Sequence, residues 1–237
     1  MDRATLISIS YHCEGEYRRI LRAIKEKTEY EKVDIPNCIT ILDEEYPKEF
    51  YQLKYPPLVL YYRGSPDLLK KEKISVVGSR KPCDYARKAT KGLCLNNPTK
   101  AIISGLAKGI DAEAHRNARY TIGILGCGID VVYPAENRDL YQRLEKEGLI
   151  LSEYPGKVKP CGYHFPFRNR LISALGSCLY IMQSSSRSGT MSTLRETLEL
   201  GKDVKVLPYD AYEEAGENNN LLIKEGADII GREEIAF

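Results

Sequence analysis

The sequence of 237 residues has no tryptophan, three histidines (His12, His115 and His164), and no Asp or Glu between residues 154 and 195. It also has no run of about 18 apolar residues, so no membrane-spanning segment is expected. The first twenty residues lack a sustained apolar stretch and a small-residue cleavage site, so secretion is not expected either. Its seven cysteines (Cys13, Cys38, Cys83, Cys94, Cys127, Cys161 and Cys178) form no C-x-x-C pair and are scattered as in a reducing cytoplasm. With so few histidines, no Cys/His cluster has metal-ligand spacing. Nor is there a nucleophile–His–Asp arrangement, a triphosphate-binding loop or a nuclease-type carboxylate cluster. The expectation is therefore a cytoplasmic protein with no catalytic residues, metal or cofactor.

What is present is charge sorted along the chain. Totals are nearly balanced, 35 basic against 33 acidic residues, yet the acid-free segment holds Lys157, Lys159, Arg168, Arg170, Arg187 and Arg195. Residues 78–110 show the same bias, with Arg80, Lys81, Arg87, Lys88, Lys91, Lys100 and Lys108 against Asp84 alone. The compensating carboxylates lie from Glu196 to Phe237, where eleven acidic residues face four cations. Solvated helix faces are often basic by chance. Two basic segments that are also rich in Gly and Ser suit a polyanion gripped along its phosphates.

From residue 74 onward, short apolar runs alternate with longer amphipathic ones. ISVVG (74–78), AIISG (101–105), TIGILG (121–126), LILSE (149–153), CLYIMQ (178–183) and VKVLP (204–208) read as strands buried on both faces. Helices are expected near 84–95, 109–119, 137–147, 166–176 and 190–201. This alternation predicts an α/β fold, a Rossmann-like, doubly wound, mostly parallel sheet. Upstream, residues 5–30 carry an apolar stripe of one or two small helices, and Pro56-Pro57 leads into the strand LVLYY. The Gly216–Asn220 patch reads as a loop. The expected organisation is a reduced N-terminal helical and extended appendage, 1–38, followed by an extended Rossmann-like domain, 39–237.

In an open parallel sheet, ligands bind where strands end and helices begin. Four such turns carry unusual chemistry. Gly78-Ser79-Arg80 offers close backbone approach, a hydroxyl and a planar phosphate-binding fork. Ser104-Gly105-Leu106-Ala107-Lys108-Gly109 resembles a phosphate cradle, although it matches neither a Walker loop nor G-x-G-x-x-G. Gly126-Cys127-Gly128 follows the third strand, and the Ser184–Thr190 loop surrounds Arg187 with hydroxyls. Each alone is as well explained by tight packing. The stretch His164-Phe165-Pro166-Phe167-Arg168-Asn169-Arg170 interleaves aromatic rings, which stack unpaired bases, with guanidinium groups, which neutralise phosphates. Its plainer reading makes Phe165 and Phe167 core residues of a helix begun by Pro166.

The ordered series YPPLVLYYRGS, VVGSRKPCDYA, SGLAKGIDAEAH, TIGILGCGIDVVYPAEN, SEYPGK, FPFRNRLISALGS, SRSGTMSTLRETLELGKDV and NNLLIKEGA resembles the DprA/Smf family of DNA-processing proteins over residues 39–230. The resemblance implies a Rossmann-like core that binds single-stranded DNA without strong sequence preference, protects incoming DNA during natural transformation, loads the RecA recombinase and forms a homodimer. It also implies DNA-binding roles for Gly78, Ser79, Arg80, Ser104, Gly105, Lys108, Phe165, Arg168, Asn169, Arg170, Ser188 and Gly189, with Arg80 the main phosphate ligand. Departures include Tyr209 where the family generally has Gly, and no winged-helix module after residue 231.

The competing class is an enzyme of the Lonely Guy nucleotide phosphoribohydrolase type, whose PGGxGTxxE loop carries a catalytic Glu. The equivalent loop here places Thr193 at that position, with Glu196 one turn further on. Glycosidic cleavage through an oxocarbenium-like state needs a carboxylate near the scissile bond. Asp111 and His115, at i and i+4, have the spacing of an acid–base pair, but fit equally a helix-start Asp holding amides and a packed His.

Overall fold

All six apolar runs predicted after residue 74 form strands in a computed structural model that describes residues 1–236. The sheet has nine strands in the order β1-β2-β6-β5-β4-β3-β7-β8-β9. They are β1 (Cys38–Thr40), β2 (Val59–Gly64), β3 (Lys73–Val77), β4 (Ala101–Ser104), β5 (Tyr120–Ile124), β6 (Leu149–Ser152), β7 (Cys178–Ile181), β8 (Asp203–Val206) and β9 (Asp228–Ile229). From β6 to β9 every neighbour is parallel, whereas β2 runs antiparallel to both β1 and β6. The predicted doubly wound, mostly parallel architecture is the one observed.

The continuous apolar character of the strands is explained by helices on both faces. On one face, Val77, Ile103, Ile122 and Ile181 pack against Leu171, Ile172 and Leu175 of α6 (His164–Leu175) and Leu194 of α7 (Thr190–Glu199). On the other, Ile74, Val76 and Ile102 meet Ala86, Ala89 and Leu93 of α3 (Asp84–Leu95) and Ile110 and Ala114 of α4 (Ile110–Asn117). Leu140 and Leu144 of α5 (Arg138–Glu147) cover Ile150. Each fully buried Leu or Ile contributes roughly 1.5–3 kcal/mol. The N-terminal helices α1 (Arg3–His12) and α2 (Tyr17–Glu26) bury Leu6, Ile9 and Ile20 against Cys38, Val59 and Tyr61 of the antiparallel strands.

Two local expectations need correction. The helix expected to begin at Pro166 begins at His164, because a proline within the first turn removes only an amide that has no intrahelical acceptor. The Gly216–Asn220 patch is not a loop, since α8 (Glu217–Lys224) starts inside it. Its asparagines are tertiary pins. The fully buried Asn219 donates to Leu207 O (3.0 Å) and accepts from Ser184 N (2.9 Å) and Ser184 Oγ (2.8 Å). A short helix, α9 (Arg232–Ile235), follows β9.

Candidate functional site

β3 and β7 are adjacent, yet the chain leaves β3 toward α3 on one face and leaves β7 toward α7 on the other. Diverging connections open a crevice at such a switch point. Here it is a cleft of about 880 Å³. Gly78, Ser79, Arg80 and Lys81 from the β3 turn, Asp111 from α4, Phe165, Arg168 and Asn169 from α6, and Ser184, Ser188 and Gly189 from the β7 turn all line it.

The mouth is cationic. Ser79 O accepts from Ile110 N (3.0 Å) and Ser79 Oγ accepts from Lys81 N (3.0 Å), which fixes the turn against the start of α4. That approach needs glycine at position 109, which has φ +77° and where a Cβ would sit 2.7 Å from the Arg80 carbonyl carbon. Arg80 and Lys81 are exposed, and among the described residues neither side chain has an ion-pair partner.

The floor is built from buried charge. Asp111 Oδ2 accepts from Gly105 N (3.1 Å) and Ala107 N (3.3 Å). Burial raises its pKa, while the Arg168 guanidinium opposes that rise. Arg168 is 6% exposed and donates from Nη1 to Ile124 O (2.5 Å), and its buried Nε has no partner among the described residues. Gly105 makes room for it, since a Cβ there would lie 2.6 Å from Nη2 and 2.7 Å from Cζ. His115 is fully buried. Its Nε2 accepts from Leu106 N (3.3 Å), so Nδ1 carries the proton and donates to Thr121 Oγ1 (2.5 Å). Burial, with Arg143 and Arg168 nearby, pushes its pKa down to about 3. Asp111 and His115 thus hold a loop and pack, and do not form an acid–base pair.

The wall is the first turn of α6. Half-buried Phe165 sits 5.6 Å, ring to ring, from the exposed Tyr133. Asn169 Nδ2 donates to Ser192 Oγ (2.7 Å) and Gly189 O (3.3 Å), tying α6 to the start of α7. Among the described residues Ser188 Oγ, at that start, has no partner, and nothing lies within 4 Å of the position a Cβ on Gly189 would take.

Of the predicted site residues, Gly78, Ser79, Arg80, Phe165, Arg168, Asn169, Ser188 and Gly189 come together on the cleft. The remaining four do not line it. Ser104 is fully buried, and its hydroxyl donates to Val76 O (2.7 Å), joining β4 to β3 behind the floor. Gly105 lies against the Arg168 guanidinium and acts as the space that side chain needs. Lys108 is exposed and paired with Glu136. Arg170 is the clear correction. It is 3% exposed, its guanidinium is bidentate on Glu153, and it also donates to Tyr55 O (2.9 Å) and Phe167 O (2.7 Å). With four of its five N–H donors committed and its charge buried against a carboxylate, this cation is not presented to a phosphate. Phe167, half-buried, stacks on Arg170 at 3.7 Å and packs beside the rings of Tyr17 and Tyr55, so it neither lines the cleft nor joins the core.

Lys81 and Tyr133 line the cleft beyond the predicted set, and so do Ser184 and Ser185 of the Ser184–Thr190 loop, from which only Ser188 and Gly189 are predicted site residues. Lys81 stands beside the Gly78-Ser79-Arg80 turn and Ser184 opens the Ser184–Thr190 loop, whereas Tyr133 and the pinning Asn219 carry no local signal. Thr193 also lines the cleft, and Glu196 does not.

A family model described as DNA recombination-mediator protein A matches residues 37–236. Protein Smf of Synechocystis sp. is 38% identical over 206 residues, 82% of this chain and 52% of that protein, so the chain spans about half the length of this relative. Among solved structures, DNA processing protein A of Streptococcus pneumoniae superposes with a TM-score of 0.78 at 33% identity, over 90% of this chain and 77% of that one. The Helicobacter pylori DNA processing protein A, whose structure addresses a single-stranded DNA binding mode, gives 0.76 at 36% identity, over 83% and 92%.

Proposed function

The chain belongs to the DNA recombination-mediator protein A family, the DprA/Smf family, and we propose that its cleft between β3 and β7 binds single-stranded DNA without strong sequence preference. The observation that carries this reading is one cleft holding two unpaired cations, Arg80 and Lys81, together with the aromatic pair Phe165 and Tyr133. Phosphates meet Arg80, Lys81 and the hydroxyl-rich start of α7, where helix amides also favour anions. Bases meet Phe165, and stacking adds about 1–3 kcal/mol per base engaged. Duplex DNA binds less well because its bases are not free to stack. Residues 39–237 carry this activity and residues 1–38 form an appendage to it.

In this reading the protein acts by binding and not by catalysis. Asp111 is committed to the amides of Gly105 and Ala107, and Thr193 stands where a phosphoribohydrolase has its carboxylate. Its role is to protect DNA strands and load RecA during transformation in the cytoplasm. A homodimer presenting two clefts to one strand gains avidity, since the second contact becomes intramolecular. The test is binding of labelled oligo-dT, single- against double-stranded, across a salt series. Arg80→Ala should weaken single-strand binding and lower the log–log salt slope by about 0.7. Unchanged affinity would remove the basis of the assignment, and release of base from nucleoside monophosphates would favour the enzyme class.

A further inference from the structure

The first turn of α6 reaches from the cleft to the start of α2. Gly162 and Phe165 line the cleft, and Tyr163 between them is 61% exposed. Glu16, at the N-cap of α2, accepts from Tyr163 Oη (2.8 Å) and His164 Nε2 (2.8 Å). Tyr17, the first residue of α2, lies 6.2 Å ring to ring from Phe167. The start of α2 is therefore seated on the start of α6, with one exposed tyrosine between it and the cleft.

α2 buries Ile20 and Ala23 and turns Arg18, Arg22 and Lys25 to solvent. Their spacing, i, i+4 and i+7, puts the three cations on one face over about 10 Å. Among the described residues none of them has an ion-pair or hydrogen-bond partner, whereas the neighbouring Arg19 is paired with Glu14. This face breaks two local rules. Like charges at i, i+4 repel, and cations in a first helical turn oppose the helix dipole. Glu16 at the N-cap and Glu26, four residues after Arg22, offset this only in part, and only Lys25, in the last turn, is well placed for the dipole. A bound polyanion relieves both.

We propose that α2 is a second contact for the same DNA strand. Single-stranded DNA leaving the cleft crosses Tyr163, which stacks a base, and its phosphates run along Arg18, Arg22 and Lys25. This rests on the reading of the cleft given above. Continuity with the cleft and the exposed ring at the junction favour a nucleic-acid strand over an acidic protein surface. About three further phosphates are engaged, one per cation.

The experiment compares oligo-dT of about 5 nucleotides, enough for the cleft, with oligo-dT of about 20. The proteins are the full chain, Arg80→Ala, Tyr163→Leu, and the triple variant Arg18→Gln/Arg22→Gln/Lys25→Gln, whose substitutions are all exposed. The triple variant should bind the short oligonucleotide like the unaltered protein. It should bind the long one roughly tenfold more weakly, with the log–log salt slope reduced by up to about 2. Tyr163→Leu should likewise lose affinity only for the long strand. Equal binding of both lengths by the triple variant overturns the proposal. So does equal loss on both, because α2 would then act through α6 and not through a longer footprint. If the unaltered protein binds neither length, or Arg80→Ala binds both normally, the cleft reading itself fails and takes this proposal with it.

Discussion

Arg170 grips Glu153 with both terminal nitrogens, Nη1 at 2.7 Å from Oε2 and Nη2 at 2.6 Å from Oε1, and neither side chain is more than 5% exposed. The pair joins the end of β6 to the first turns of α6, the helix that presents Phe165, Arg168 and Asn169 to the cleft. Removing one partner leaves a buried charge without compensation, which typically costs about 3–5 kcal/mol. Arg170→Ala should therefore lower the urea midpoint by that equivalent. Any loss of DNA binding should follow the loss of fold. A variant that is as stable as the parent but defective in binding would restore Arg170 to the phosphate-contacting set.

Gly105→Ala should disrupt the floor of the cleft. The added methyl overlaps the Arg168 guanidinium, which is held on Ile124 O and has little room to retreat. Overpacking of this kind costs about 1–3 kcal/mol. Thermal unfolding should show that loss, and affinity for oligo-dT should drop with it. Gly189→Ala, where nothing lies within 4 Å of the added carbon, should leave stability unchanged.

His115 predicts a specific response to acid. Its folded pKa, about 3, lies below the ordinary value near 6.5, so at intermediate pH the unfolded chain binds a proton that the folded chain refuses. Stability is full above about pH 6.5 and falls as pH drops toward 3, with a slope approaching about 1.4 kcal/mol per unit from this one group. Asp111 acts in the opposite sense. Its raised folded pKa lets the native state take a proton first, which offsets part of the loss once the pH nears the carboxylate range. Urea titrations at pH 7 and pH 5 should show the fall, and His115→Gln should flatten it. An unchanged slope in that variant would mean that another group is responsible.

Asn219→Ala should loosen the β7 turn. It removes the acceptor for Ser184 N and the donor to Leu207 O, and a buried amide left unsatisfied costs about 1–3 kcal/mol. Amide exchange at Ser184 should accelerate relative to the centre of β7. Binding of oligo-dT should weaken because Ser184 and Ser188 share that turn.

The strand–helix alternation was legible in the chain because a parallel strand covered on both faces must be apolar throughout, and a helix covered on one face must be periodic. ISVVG, AIISG and TIGILG follow the first rule. The turns that end those strands were legible for a related reason, because tight turns and close approach restrict residue type to Gly and Ser whatever the surroundings. Gly78-Ser79-Arg80 and Ser188-Gly189 accordingly appeared as candidates and do meet on one cleft. Whether a given arginine faces that cleft or a buried carboxylate is a different kind of fact. Arg168 and Arg170 stand two apart on one helix, roughly 200° around its axis, and composition treats them alike. Burial on both sides of α6 sends one to the floor of the cleft and the other to Glu153. Asn219 likewise sits in a patch that reads as solvated loop until the fold brings Ser184 beside it. Local chemistry sets the backbone pattern, because that pattern depends on neighbours in the chain; partner choice for a charged or amide side chain depends on residues tens of positions away, and is settled when the sheet assembles.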